Sequence, residues 1–132
     1  MTPEQNTHVK TLSDKQEIFD HVIKHLRGQR HQSLDYILGD DGHCAYRGTS
    51  SRMCAVGCLI ADDEYSPGME GQTVDGIDLP RRFQNHKPML EELQRFHDYQ
   101  FHWDSRMGGF SELGENRLEF IREQFGLKQP EA

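Results

Sequence analysis

The longest unbroken apolar stretch in this chain is nine residues, positions 53–61, and it contains Gly57. A helix that crosses a bilayer needs roughly 18–20 apolar residues, so no stretch of this length spans a membrane. The core must instead be assembled from short amphipathic pieces packed around that segment. With 132 residues, 34% of them hydrophobic and 28% charged, the chain has material for one modest core and too little for two. A single globular domain over residues 13–127 is expected, with polar, disordered tails at 1–12 and 128–132.

Charge and cysteine usage exclude further classes. Fifteen Lys and Arg against 22 Asp and Glu give a net charge of -7. An acidic surface without a basic stripe repels phosphate backbones, so direct nucleic-acid binding is not expected. Asp62, Asp63, Glu64, Glu91 and Glu92 contribute to a negative shell, which also suits docking on a basic partner protein. The three cysteines are an odd number, and the N-terminus lacks the apolar stretch of an export signal. Reduced thiols and a cytoplasmic location are therefore expected.

Periodicity predicts a mainly α fold. Ile18, Phe19, Val22, Ile23 and Leu26 line one face of a helix over residues 13–27, with Ser13 as cap, Gln16 completing a capping box and Gly28 as terminator. A second helix starts near Pro88 and turns Met89, Leu90, Leu93, Phe96 and His97 to one side. A third, over residues 112–125, is capped by Ser111 and faces inward through Leu113, Leu118, Ile121 and Phe125. Leu34, Ile37 and Leu38 suit a short helical turn before the breaker run 39–42. The segment 53–61 is apolar all round; its serine-rich lead-in and small residues favour a buried helix. The expected architecture is a compact bundle of three to four helices around a short central apolar segment, with an α+β variant in which residues 43–50 make a small hairpin.

Three chemistries compete for the polar residues. In a ligand-binding site, Arg47 and Arg106 offer planar forks to phosphate or carboxylate, Tyr46, Tyr65 and Trp103 offer rings for stacking, and Asp62 accepts from a hydroxyl or amine. In a thiol enzyme, Cys54 at a helix start is the nucleophile, His97 the base and Asp98 its orienting partner. In a metal site, Cys44, Cys54, Cys58 and His97 supply sulfur and nitrogen, although paired cysteine knuckles are missing. Structural alternatives stand beside each: buried thiols as small hydrophobes, Arg47 in an internal ion pair with Asp62 or Glu70, and His97 satisfied within the core.

Cys44, Tyr46, Arg47 and Gly48, then Cys54, Ala55, Gly57, Leu59, Ile60, Asp62 and Tyr65, then Glu70 with Gly71, and finally Leu93, Gln94, His97 and Asp98 form an ordered pattern. It resembles a group of small uncharacterised proteins of bacteriophages and bacteria. The resemblance covers about residues 13–125 and implies a phage or mobile-element context without an activity. Together these features favour a non-enzymatic accessory protein. Such a protein is expected to bind a nucleotide-like or phosphorylated ligand, or a host protein, without a cofactor and compatibly with a homo-oligomer; the host cytoplasm and a role against host defence are what the resemblance implies. The alternative is a Cys-dependent hydrolase or transferase.

Overall fold

The computed structural model describes residues 1–35 and 43–129. It is mainly α, as periodicity predicts. Four helices, α1 (Pro3–Val9), α2 (Lys15–Gln29), α3 (Lys87–Asp98) and α4 (Glu112–Phe125), surround the apolar segment 53–61. Two two-residue strands, β1 (Leu34–Asp35) and β2 (His43–Cys44), pair antiparallel with Leu34 opposite Cys44. Of the helical turn expected from Leu34, Ile37 and Leu38, Leu34 instead lies in β1, while Ile37, Leu38 and the breaker run 39–42 lie outside the described residues.

Helix α2 buries the five apolar residues that its 3.6-residue period selects. Its boundaries differ from expectation. Asp14, not Ser13, caps it by accepting from the N–H groups of Gln16 and Glu17. The helix also runs through Gly28 and stops at Arg30, which takes φ 70°. Arg30 is held there by the loop before α4: its carbonyl accepts from Gly109 N at 2.7 Å, and its guanidinium donates to Met107 O.

The expected tail at 1–12 is replaced by α1, closed by a capping box between Thr2 and Gln5. It is anchored by Val9 and Leu12, which are 1% and 3% exposed. The polar sequence hides this helix because few apolar residues, Val9, Leu12 and Met1 among them, hold it to the core. At the other end, Gln16 exchanges two hydrogen bonds with the backbone of Lys128, so that residue is tied down as well. Residues 130–132 lie outside the described residues.

The segment 53–61 is fully buried from Cys54 onward, but it is not an α-helix; Gly57–Leu59 form a single 3-10 turn. Side chains from its neighbours replace the helical ladder, which is how buried backbone groups avoid going unpaired. Gln29 of α2 takes both the N–H and the C=O of Met53, and Gln94 of α3 accepts from Val56 N. Gly57 makes this approach possible, since a Cβ there would meet Tyr46 O at 2.2 Å. On α4 the inward position is Gly114 rather than Leu113. A Cβ at 114 would strike His102 O at 2.3 Å, and Leu113 is 52% exposed. The remaining core is continuous, with Phe19, Phe83 and Phe96 among its largest fully buried side chains.

Candidate functional site

The tyrosine-arginine segment is drawn into the fold. Glu70 accepts from Tyr46 N at 2.9 Å and from Arg47 N at 3.1 Å, and Tyr65 donates its phenol to the same carboxylate at 2.6 Å. Tyr46 is 4% exposed and donates its hydroxyl to Gln72 O. Arg47 donates to Asp62 at 2.5 Å and to Ile60 O, and its guanidinium lies 5.1 Å from the centre of the Tyr65 ring. The Arg47 pair, with Asn6 and the N-terminal ammonium also bonding to Asp62, holds that carboxyl down at about 2. Tyr46, Arg47, Asp62 and Tyr65 are therefore brought together with Glu70. The resulting bracket ties residues 45–48 to residues 60–72. With the guanidinium committed to an internal ion pair, it offers no free fork to a ligand.

His97 is 0% exposed and both its nitrogens are taken. Nε2 accepts from Ser33 N at 2.8 Å, which fixes the proton on Nδ1, and Nδ1 donates to Asp98 Oδ1 at 2.8 Å. Its carbonyl collects the Trp103 indole and the Gln32 amide. A general base needs an open nitrogen lone pair. The only one on this ring is filled by the Ser33 backbone.

Cys54 sits in an irregular segment at 0% exposure, not in a helical first turn. Its Sγ accepts from Gly57 N, yet burial pushes the thiol up to about 12. That is the environment of an inert structural thiol. Cys58 is likewise buried, donates to Ala55 O, and is raised by burial.

Of the four metal-ligand candidates, Cys54 and Cys58 belong to no group of three donors among the described residues, whereas Cys44 and His97 form a group with Asp98. One donor atom from each of these three residues lies within 4.8 Å of the other two. The protons oppose coordination. A cation at Nδ1 would displace the Nδ1–H and force a proton onto Nε2, against the Ser33 N–H already pointing there. Burial and the nearby Asp98 carboxylate also push the Cys44 thiol up to about 12. The trio is better satisfied as a hydrogen-bonded hinge than as a metal centre.

Arg52, alone from the segment 44–65, shares a hollow with residues of the 97–106 region. Arg30, His31, Gln32, Leu34 and Arg52 face Gln100, Phe101, Trp103, Asp104 and Ser105 across a cleft of about 400 Å³, within the range of small-molecule sites. Phe101 is 58% exposed, and Trp103 is buried at 8%. Arg52 makes no side-chain ion pair among the described residues. Arg106 does not line this cleft; its N–H binds the exposed Asp104 carboxylate, which together with Met107 N holds that acid below its usual range. Of the expected ligand residues, only Trp103 belongs to the cleft. Arg30, Arg52 and Phe101 carried no signal of their own, because their convergence depends on the left-handed turn at Arg30 and on the 3-10 turn at Gln100–His102.

Arg52 also lines a larger groove along α2, about 930 Å³ in volume, with His21, Lys24, His25, Gln29, Ser50 and Ser51. His21 and His25 are not simply solvated. Their Nε2–H groups donate to Cys58 O and Met53 O, and burial lowers the pKa of both rings. Among the described residues no helix is long and apolar enough to cross a membrane. Comparison with protein-family models, with curated proteins and with solved structures gives no match to this chain.

Proposed function

We propose that this chain is a non-catalytic binding protein for a nucleotide-like, phosphorylated small molecule, held in the cleft between Arg52 and Phe101. The observation that carries the reading is that an exposed aromatic residue, Phe101, and an arginine that makes no side-chain ion pair among the described residues, Arg52, line one concave surface. Phe101 offers a face on which any planar base stacks, an interaction worth about 1–3 kcal/mol per base. Arg52 and Arg30 supply planar cations for phosphate. Asp104 supplies an acceptor for a ribose hydroxyl or an exocyclic amine. The filled nitrogens of His97 and the buried, raised thiol of Cys54 favour binding over thiol chemistry. The accessory role implied by the sequence pattern is consistent with a domain that sequesters or senses such a ligand.

The test is thermal unfolding of the full chain with a panel of nucleoside monophosphates. A concentration-dependent rise in Tm is expected, abolished by Phe101→Ala. No rise with any member of the panel overturns the reading. A second reading, a protein partner, is favoured by one observation: Tyr99, Phe101, Leu113 and Phe120 are each about half exposed. Capture of a protein that competes with no nucleotide would support it.

A further inference from the structure

Helix α4 carries large apolar side chains on two faces, and only one of them meets the core. Leu118 and Ile121 are fully buried, while Leu113 and Phe120 are 52% and 54% exposed. Positions 113 and 120 are seven residues apart, so they share one outward stripe, with Arg117 about one turn from each. The Arg117 guanidinium lies 4.8 Å from the centre of the Phe120 ring. Arg117 also lines a groove of about 400 Å³ between α3 and α4, together with Phe96, Tyr99 and His102. The groove is aromatic. Phe96 stacks on His102 with ring centres 4.7 Å apart, and Tyr99 meets the same imidazole edge-on at 4.8 Å. Phe120 and the groove thus lie side by side, joined by Arg117, and neither borders the cleft of Arg52 and Phe101.

A projecting ring beside an aromatic hollow is a surface complementary to itself, because a two-fold axis running between the two seats each ring in the other copy's hollow. The charges agree with that occupant. The chain carries -7 overall, yet here the charges cancel. Glu92 accepts from Arg95 at 2.6 Å and from Arg117 at 3.2 Å, and Asp98 adds a second carboxylate at the groove. The acids midway along α4, Glu115 and Glu119, are held at a different hollow by Arg27 and Arg122. A face without net charge exerts little pull on a strongly acidic or basic partner, and it is where two copies of an acidic chain approach with least repulsion. Near the axis each copy brings the Arg117 guanidinium and the Glu92 carboxylate, so the centre stays balanced. The face offers roughly 600 Å² per copy, taking about 200 Å² for each large side chain, which is the lower end for a specific dimer.

We infer that this face is a self-association surface, through which two copies pair about a two-fold axis with the Phe120 ring of each seated in the α3–α4 groove of the other. The dimer is reversible, as its modest area requires. It leaves the cleft of Arg52 and Phe101 open, so it stands independently of the function proposed above.

Sedimentation velocity of the full chain between about 1 and 500 μM tests it. A monomer–dimer equilibrium within that range is expected, weakened at least about ten-fold by Phe120→Glu. Glutamate suits an exposed helix position, so the urea midpoint of the dilute variant should stay close to that of the wild type, and nucleotide affinity should be unchanged. A second measurement fixes the geometry. When a Tyr99→Cys chain is mixed with a Phe120→Cys chain and oxidised, a disulfide between positions 99 and 120 should link one copy of each, mapped by mass spectrometry. A chain that stays monomeric throughout, a dimer indifferent to Phe120→Glu, or a monomer whose α4 face takes up a protein of another sequence would each overturn the inference and leave the nucleotide cleft standing.

Discussion

His97 Nε2 accepts the backbone N–H of Ser33 across 64 positions of sequence, at 2.8 Å and without solvent access. That contact joins the end of α3 to the start of β1. It also decides what His97 does, because the lone pair a catalytic base would use is spent on the backbone. His97→Ala leaves the Ser33 N–H buried and unpaired and opens a cavity, so a loss of about 2–5 kcal/mol is expected. Urea unfolding of the two proteins measures it. A change under about 1 kcal/mol would mean the latch is ornamental.

The thiols provide an independent check. Cys54 and Cys58 should resist alkylation in the folded protein and react only on unfolding, while Cys44, half-buried and raised by Asp98 and desolvation, should react slowly. Rates followed across pH by mass spectrometry distinguish them. A fast native-state reaction at Cys54 titrating below the ordinary thiol value of about 8.5 would restore the nucleophile.

Arg47 is a structural residue on this account. Arg47→Ala removes the partners of Asp62 Oδ1 and Ile60 O and should destabilise by about 1–3 kcal/mol. Nucleotide affinity, measured well below the new Tm, should be unchanged. A selective loss of affinity with stability intact would return Arg47 to the ligand site.

Acid should weaken the fold in two stages. Burial holds the pKa values of His21 and His25 in the folded state below the ordinary histidine value of about 6.5. The unfolded chain therefore binds more protons there, and stability is lost as pH falls below about 6.5. Asp62, Glu64 and Glu115 are shifted down by Arg47, Arg82 and Arg27 respectively. Their contribution persists above the ordinary carboxylate range and disappears as pH falls from about 4 toward 2. Urea midpoints against pH show both stages, and replacing both histidines with glutamine should remove the first.

The helices were legible because α2, α3 and α4 announce their buried faces at helical spacing, and Ser111 marks a start. What sequence concealed was any element whose backbone is satisfied from elsewhere in the chain. The segment 53–61 looks like a helix until Gln29 and Gln94 claim its amides. In the same way Tyr46, Arg47, Asp62 and Tyr65 read in sequence as ligand residues, and in the fold they are bonded to one another and to Glu70. The residues that line the cleft, Arg52 and Phe101 among them, are ordinary in sequence and acquire meaning only from two turns.

Trp103 is the only tryptophan of the chain and lines the cleft, so its fluorescence reports directly on occupancy. Titration with ATP should give a saturable change in emission whose midpoint moves to weaker binding by at least about ten-fold in both Phe101→Ala and Arg52→Ala. Unchanged emission throughout a titration to millimolar ATP (about 4 kcal/mol of binding at most), or a change indifferent to both substitutions, would contradict a nucleotide site in this cleft.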